Sequence, residues 1–132
     1  MARAYHSAVS TPVATARRSA LSAWLPVVAW AAVIFAFSSV PSLATDLGTW
    51  DTILRKIAHV TEYAILGALL TRAVRRPGLA LALAVSYAAS DEVHQLFVEG
   101  RHGSPLDVLI DTAGALAGVL AWQRLAARRA LS

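Results

Sequence analysis

Ionisable and polar side chains recur every three or four residues within stretches of the chain that are otherwise apolar. They form three groups: Lys56, His59, Glu62 and Tyr63; Asp91, His94 and Gln95; and Asp107 and Asp111. At about 100° per residue, the members of each group share one face of a helix. Carboxylates, imidazoles and amides at that spacing can bind a polar molecule, hold a cation or transfer protons. The spacing predicts three polar helix faces, whose use depends on the elements that position them.

Metal binding and acid–base catalysis are both open to these side chains. They offer enough oxygen and nitrogen ligands for a divalent metal, and a histidine beside carboxylates is suited to proton transfer. However, neither His-x-x-Glu nor Asp-x-x-His is specific for a metal, and no nucleophile motif is present. The chain has no cysteine, which excludes disulfides, thiol catalysis and cysteine-ligated zinc or iron–sulfur sites. Catalytic residues, metals and cofactors are therefore left unassigned.

The composition is that of a membrane protein with a single domain. The 132 residues are 57% hydrophobic and 15% charged, with a mean hydropathy of +0.55, against about 45–50% apolar and 25% charged in soluble domains. The net charge is +4, but the arginines cluster between long apolar runs, which is typical of membrane flanks and not of nucleic-acid binding. A soluble fold and a nucleic-acid partner are both disfavoured.

Four apolar stretches are long enough to cross a bilayer. They cover Leu21–Val40, Ile53–Val74, Leu79–Val98 and Leu106–Leu125. Helices of this length span about 27–30 Å, which matches the hydrocarbon core. Short loops make neighbouring helices antiparallel. The predicted fold is an all-α, integral membrane four-helix antiparallel bundle, in which Gly114 and Gly118 let the fourth helix approach a neighbour closely.

The first stretch also has the look of a signal peptide. A basic tail precedes it, and Ser42-Leu43-Ala44 after it resembles a signal-peptidase site. The apolar region of a signal peptide normally has about 7–15 residues, and this one is longer. An uncleaved first span is therefore the favoured interpretation.

Basic residues are unevenly divided between the two sides of the predicted bundle. Nine lie on the side of the chain termini, and Arg55, Lys56 and Arg101 lie on the other. The positive-inside rule then places both termini in the cytoplasm and the protein in the cell membrane. The domain prediction is a disordered basic cytoplasmic tail over residues 1–19, a four-span membrane domain over 20–127 and a basic cytoplasmic tail over 128–132.

All eight acidic residues fall in the outer loops or the outer halves of the predicted helices. The positive-inside rule does not require this, because acids contribute little to topology. A charge at the centre of a bilayer costs about 2.5–3.5 kcal/mol on insertion scales, so such groups usually face the bundle interior and mark function. Glu62, Asp91 and Asp111 reach similar depths on three helices. This predicts that His59, Glu62, Asp91, His94 and Asp111 converge in one pocket open to the outer face.

Four short motifs in order resemble the VanZ-like family. They are Phe37-Ser38-Ser39-x-Pro41, Lys56-x-x-His59-x-x-Glu62-Tyr63, Asp91-Glu92-x-His94-Gln95-x-Phe97-x-x-Gly100-Arg101 and Asp107-x-x-x-Asp111-x-x-Gly114. The resemblance covers roughly Leu21 to Ala126. It implies an integral membrane protein of bacterial type, whose namesake is associated with resistance to the glycopeptide antibiotic teicoplanin. It implies no established reaction.

Three functions of the pocket stay open. In the first, the charges only fix the helix register: Lys56 and Arg101 neutralise Glu62 and Asp91, although eight acids against three bases leave the outer side at −5. In the second, the pocket binds a lipid-linked or glycopeptide-related molecule of the cell envelope, with Arg and Lys at its rim on phosphate or carboxylate. The third is a metal-dependent membrane enzyme acting on a lipid head group.

Binding of an envelope molecule is the favoured function of the pocket. Its residues are Lys56, His59, Glu62, Tyr63, Asp91, His94, Gln95, Arg101, Asp107 and Asp111. The predicted partners are the lipid bilayer and an envelope lipid or peptidoglycan precursor. The oligomeric state is left open.

Overall fold

The computed structural model describes residues 12–41 and 48–132, with side chains from residue 20 onward in the first range. Four helices follow one another along the chain. They are α1 (Pro12–Ser38), α2 (Thr49–Val74), α3 (Pro77–Gln95) and α4 (Pro105–Ala130). No strand occurs in the two described ranges. The predicted all-α bundle is confirmed.

Local sequence sets where α2 ends and where α3 and α4 begin. Arg75 adopts a left-handed conformation with φ 55° and donates its N–H to the carbonyl of Thr71 at 2.9 Å, which terminates α2. Pro77 then opens α3, where its missing N–H costs nothing. Ser104 caps α4 by accepting the N–H of Leu106 at 3.2 Å. The connections are short, so consecutive helices pack side by side.

The first helix begins earlier than the sequence predicts. Residues 1–19 were expected to be a disordered tail, but α1 starts at Pro12, so the backbone of residues 12–19 continues the helix. Alanine and arginine are strong helix formers, and extending an existing helix avoids the cost of nucleation. An apolar period is therefore not needed there. Residues 1–11 of the predicted tail, and 42–47 with the candidate cleavage site, lie outside the described residues.

Contacts between the helices show which of their ends meet. Lys56 near the start of α2 pairs with Asp107 near the start of α4. At the opposite end of α2, Arg72 donates to the carbonyl of Ser22 early in α1. Consecutive helices are thus antiparallel, and α2 and α4, which make the most extensive contact, run parallel. We call the end where α2 and α4 begin and α1 and α3 finish the polar end.

Small residues bring α2 and α4 together away from the polar end. A Cβ atom added to Gly118 would overlap the backbone of Ala64, and one added to Gly114 would overlap the backbone of Val60. Gly67 of α2 lies equally close to the backbone of α4. The predicted close approach through Gly114 and Gly118 is confirmed, and it fixes the register in which the polar residues of the two helices face each other.

The helix α3 contributes a stripe of buried alanines to the core. Ala80, Ala84 and Ala88 recur at four-residue spacing and are completely buried. They pack in one cluster with Ile34 of α1 and with Leu66 of α2. Because alanine is small, α3 lies close to its neighbours along its whole length.

Large apolar side chains cover the outside of the bundle, as expected of a surface that faces lipid. Among the described residues, three helices are long and apolar enough to cross a membrane: residues 20–38 of α1, and the whole of α2 and α4. The protein is therefore a membrane protein. The remaining helix, α3, spans about 28 Å at 1.5 Å per residue. The polar residues at its carboxyl end lower its mean hydropathy. Its crossing stays a prediction.

Candidate functional site

At the polar end, α2 and α4 face each other through two charged pairs. Lys56 Nζ lies 2.5 Å from Asp107 Oδ1, and both side chains are about one-third to two-fifths exposed. One turn deeper, His59 Nδ1 lies 3.3 Å from Asp111 Oδ1. Asp111 is completely buried, so the pairs run from the rim of the bundle to its interior. The purely structural interpretation paired Lys56 and Arg101 with Glu62 and Asp91, whereas Lys56 pairs with Asp107 because the close contact of α2 with α4 brings Asp107 nearer.

The two acids that end α3 are both buried, but in different surroundings. Asp91 Oδ2 accepts the hydroxyl of Ser38 at 2.7 Å and the amide of Gln95 at 3.4 Å. Glu92 Oε2 accepts the backbone N–H of Ser104 at 2.8 Å, at the start of α4. The first acid joins α3 to α1, and the second joins α3 to α4. The residues that hold them were not predicted as partners.

His94 does not join the other predicted site residues. Its ring stacks on Phe35 of α1, with centroids 4.4 Å apart, and its Nε2 lies 3.0 Å from the hydroxyl of Ser39. Asp91 and Gln95 are four residues apart and are both buried in the bundle. His94 is three residues after Asp91, so its side chain is turned about 60° away from that of Asp91, on the side opposite to Gln95. The predicted convergence of five side chains is therefore wrong for His94.

Tyr63 forms the floor beneath His59. Its ring is completely buried and lies nearly parallel to the imidazole, with centroids 6.5 Å apart and an interplanar angle of 9°. On its other side it contacts the ring of Tyr87, whose centroid is 6.3 Å away. The Tyr63 hydroxyl has no hydrogen-bond partner among the described residues. The ring fixes the plane of His59, while its hydroxyl is left unsatisfied.

Several other buried polar atoms at this end also lack hydrogen bonds within residues 20–41 and 48–132. They are His59 Nδ1, Asp91 Oδ1, Glu92 Oε1 and both carboxylate oxygens of Asp111. Buried polar groups are normally paired, and each exception costs roughly 1–3 kcal/mol. Of these atoms, His59 Nδ1 and Asp111 Oδ1 face each other at 3.3 Å. Unsatisfied buried groups occur at functional sites, where local stability is lowered.

Two cavities open at the polar end and share part of their walls. The smaller, of about 280 Å³, is lined largely by polar side chains, which include Lys56, Gln95, Asp107 and Asp111. The larger, of about 540 Å³, lies beside α1. Its lining is Phe37, Ser38, Val40, Pro41, Asp51, Arg55, Ala58, His59, Glu62 and Arg101. The four residues common to both are Asp51, Arg55, His59 and Arg101.

Arg101 lies in the loop after α3 and reaches back to the end of α1. Its Nε donates to the carbonyl of Val40 at 3.1 Å, and an Nη donates to the carbonyl of Phe37 at 3.0 Å. Partial burial, and secondarily the nearby Arg55, lower the pKa of Arg101 from its usual value. Arg55 itself donates through two nitrogens to Asp51, the shorter contact being 2.6 Å. Of these two arginines, Arg101 is the one held by neutral carbonyl groups.

Seven of the ten residues predicted to bind a ligand line one or both cavities. Lys56, His59, Gln95, Arg101, Asp107 and Asp111 line the smaller cavity, and Glu62 lines the larger one. Arg55, which the binding interpretation placed at the rim, lines both cavities. Ser38 and Asp51 were not predicted as site residues. In the sequence, Ser38 is distinguished only by its place in the motif at the end of the first span. The binding role of all these side chains stays a prediction.

The described residues contain no set of three His, Cys, Asp or Glu side chains close enough to hold a metal ion. His59 and Asp111 form a pair, but Glu62 faces the other cavity, and Asp91 is engaged by Ser38. In this arrangement the acids are distributed around the two cavities, which together we call the cleft. Proton transfer and hydrogen bonding are the chemistry that these positions offer directly.

The motifs noted above are matched by the comparison with known families. Residues 7–126, which are most of the chain, match the VanZ/LLP1 family. No curated protein and no solved structure matches the chain. Since the family match includes α1 to α3, most of α4 and every residue of the two cavities, this membrane protein belongs to the VanZ/LLP1 family.

Proposed function

We propose that this protein binds a lipid-linked amphiphile of the cell envelope at its polar end, with Arg101 on the anionic group of the head. The supporting observation is that two unlike cavities meet at His59 and Arg101. One is lined largely by polar side chains, and the other adds the apolar side chains of Phe37, Val40 and Ala58. A molecule with a polar head and an apolar tail fits this division, because each part is buried against groups of its own kind.

Arg101 is suited to hold a phosphate or carboxylate. Arg55 and Lys56 are already paired with acids. Arg101 donates to two backbone carbonyls, and no carboxylate among the described residues forms an ion pair with it. Its N–H groups that make no hydrogen bond to these carbonyls are therefore available to an anion.

The acids of the cleft favour a head group that also carries an amine or hydroxyls. The described part of the polar end has seven acids against three basic residues. A ligand that is only anionic would meet this excess of negative charge, whereas an added hydrogen-bond donor or cation would interact with it favourably. Glu62 lines the larger cavity and Asp107 the smaller, so such a donor has an acceptor in either one.

The basic asymmetry of the chain supports a cleft that opens to the outer face of the cell membrane, with four crossings and both termini in the cytoplasm. The course of α3 between the same two ends as α2 supports the fourth crossing. Because the chain has no cysteine, single cysteines at Glu99 and Ser132 can be labelled in intact cells with a membrane-impermeant maleimide. We expect Glu99→Cys to react and Ser132→Cys to be protected. Labelling of Ser132→Cys would contradict this topology.

Binding is tested by titrating the detergent-solubilised protein with dioctanoyl phosphatidylethanolamine and dioctanoyl phosphatidylglycerol, followed by calorimetry. Arg101→Gln should raise the Kd about 10- to 100-fold, since hydrogen bonds to charged groups contribute about 1.5–3 kcal/mol. Glycerol 3-phosphate, which has no tail, should bind more weakly than either lipid. Equal affinity for the tailed and untailed probes would contradict binding in the larger cavity.

Arg72→Gln is the matched control. Arg72 also donates to a backbone carbonyl of α1, at 3.2 Å, but at the opposite end of the bundle. Its replacement should leave the Kd unchanged. If wild-type protein binds neither lipid, or if both arginine variants bind as the wild type does, the charges at the polar end are structural and the proposal is wrong.

A further inference from the structure

The contact between His59 and Asp111 has a feature that lipid binding does not need. Asp111 is completely buried, and among the described residues its oxygens have no hydrogen-bonding neighbour other than His59. Its nearest polar neighbour is His59 Nδ1, 3.3 Å from Oδ1. The carboxylate is thus sealed behind the imidazole, and whatever it does to a ligand it does through that ring.

The imidazole itself lies where the two cavities meet. His59 lines both of them, and its side chain keeps 17% of its surface exposed. Because Nδ1 is turned toward Asp111, Nε2 is the ring nitrogen left for the cleft. Tyr63 lies parallel beneath the ring and holds its plane. A carboxylate that orients one ring nitrogen so that the other can exchange a proton is the arrangement used in general acid–base catalysis.

We propose that His59 is the catalytic general base for hydrolysis of a phosphodiester in the head group of the bound amphiphile, and that Asp111 is its positioning residue. This inference rests on the proposed binding function. Nε2 takes a proton from a water molecule while the water oxygen bonds to phosphorus. One P–O ester bond breaks, and the imidazolium gives its proton to the departing alcohol oxygen. A phosphodiester and water become a phosphomonoester and an alcohol, without oxidation or reduction.

The other charges around His59 suit this reaction. Arg101 lines both cavities with His59, so a phosphate that it holds lies in a cavity that the imidazole also lines. The charge of Arg101 would offset negative charge developing on the phosphate oxygens. Besides Asp111, the acids that act on the imidazole are Glu62 on its own helix and Asp91 on α3. All three stabilise the positive charge that the ring acquires when it accepts a proton.

The experiment uses the full chain in vesicles of phosphatidylethanolamine and phosphatidylglycerol. Phosphorus NMR detects conversion of a phosphodiester to a phosphomonoester whichever ester bond breaks. His59→Gln should lower the turnover rate about 100- to 10,000-fold, the usual contribution of a general base, with little change in lipid affinity. Thr61→Val is the matched control, because Thr61 lies on the same helix, is exposed and donates only to the carbonyl of Ile57. It should leave the rate unchanged.

Asp111 is tested by Asn and Glu replacements. In Asp111→Asn the amide can donate to Nδ1 and hold the ring in the wrong tautomer, so turnover should fall while affinity is kept. Asp111→Glu, which restores a carboxylate, should recover part of the lost rate. An effect of Asp111→Asn on affinity and turnover alike would reveal a merely structural role.

Binding and turnover fail separately. If the wild-type protein binds either lipid but produces no phosphomonoester, or if His59→Gln is as fast as the wild type, catalysis by His59 is ruled out and the binding function stands. If no lipid binds at all, both proposals are wrong. Lipid affinity measured on each variant reports whether it has folded, so a slow variant that still binds lipid supports the assignment.

Discussion

The contact between α2 and α4 has two halves that are built in opposite ways. Away from the polar end, Gly67, Gly114 and Gly118 bring the two backbones together with no side chain between them. Toward the polar end, the same helices face each other through Lys56 with Asp107 and through His59 with Asp111. One half consists of backbone in contact with backbone, and the other of charged side chains with unsatisfied atoms.

The difference separates the half of the contact that provides stability from the half that lowers it. Close backbone packing gives dispersion energy and leaves nothing unpaired, so it can hold the helices in a fixed register. The polar half then inherits that register and does not have to provide it. Buried groups such as Asp111 and the Tyr63 hydroxyl lower stability locally, and the glycine half compensates for them.

The largest effect is expected from a single methyl group in the glycine half. In Gly118→Ala, the added Cβ would overlap the backbone of Ala64, which cannot move aside as a side chain can. The free energy of unfolding should fall by about 3 kcal/mol or more, the upper end of the usual cost of overpacking. The measurement is thermal unfolding in detergent.

Gly78→Ala provides the contrast, since a Cβ at Gly78 meets no atom within 4 Å. Its stability should be unchanged or slightly higher, because alanine is the better helix former. A Gly118→Ala variant as stable as Gly78→Ala would show that the two backbones are not held together by the glycines.

A smaller effect, of opposite sign at two tyrosines, tests the polar half. Tyr63→Phe removes a buried hydroxyl that has no partner among the described residues, so the free energy of unfolding should rise by about 1 kcal/mol. Tyr87→Phe removes a hydroxyl that donates to the carbonyl of Ala31 at 2.6 Å, so it should fall by about 1 kcal/mol. Both changes conserve the ring. Destabilisation of equal size in both variants would mean that the Tyr63 hydroxyl is satisfied.

The smallest effect belongs to the pair at the rim. Lys56 and Asp107 are partly exposed, so their coupling energy in a double-mutant cycle should not exceed about 1 kcal/mol. It should weaken further with added salt, because exposed pairs are screened. The cycle uses Lys56→Gln, Asp107→Asn and the double variant, each followed by thermal unfolding. A coupling of several kcal/mol that salt does not change would place this pair with the buried half of the site.

The periodicity of the sequence was enough to predict the helices and the polar faces, because both depend on spacing along one chain. It could not assign partners. Lys56 and Asp107 are 51 residues apart, and only the contact between α2 and α4 decides that they meet. The glycines predicted a close approach without saying to which helix. Partner choice depends on the three-dimensional arrangement of helices, which spacing along one helix does not contain.

His94 shows a second limit of the same kind. Its spacing from Asp91 is compatible with a shared face, but a face about 100° wide on a four-helix bundle touches more than one neighbour. Asp91 meets the hydroxyl of Ser38, whereas His94 stacks on Phe35. The helical extension of α1 to Pro12 was missed for another reason: helix propensity alone gives no periodic pattern in the sequence.

The parallel packing of α2 against α4 also determines when the protein can be completed during its synthesis. The two helices in most extensive contact are not consecutive, since α3 lies between them in the chain. When α2 leaves the ribosome, the residues that will face Lys56 and His59 have not yet been translated. The polar side chains of the second helix therefore lack their partners on α4 until the last helix has been made. Assembly in the bilayer is decided near the end of translation, and a ribosome that stops before α4 leaves an incompletely paired helix for cellular quality control to remove.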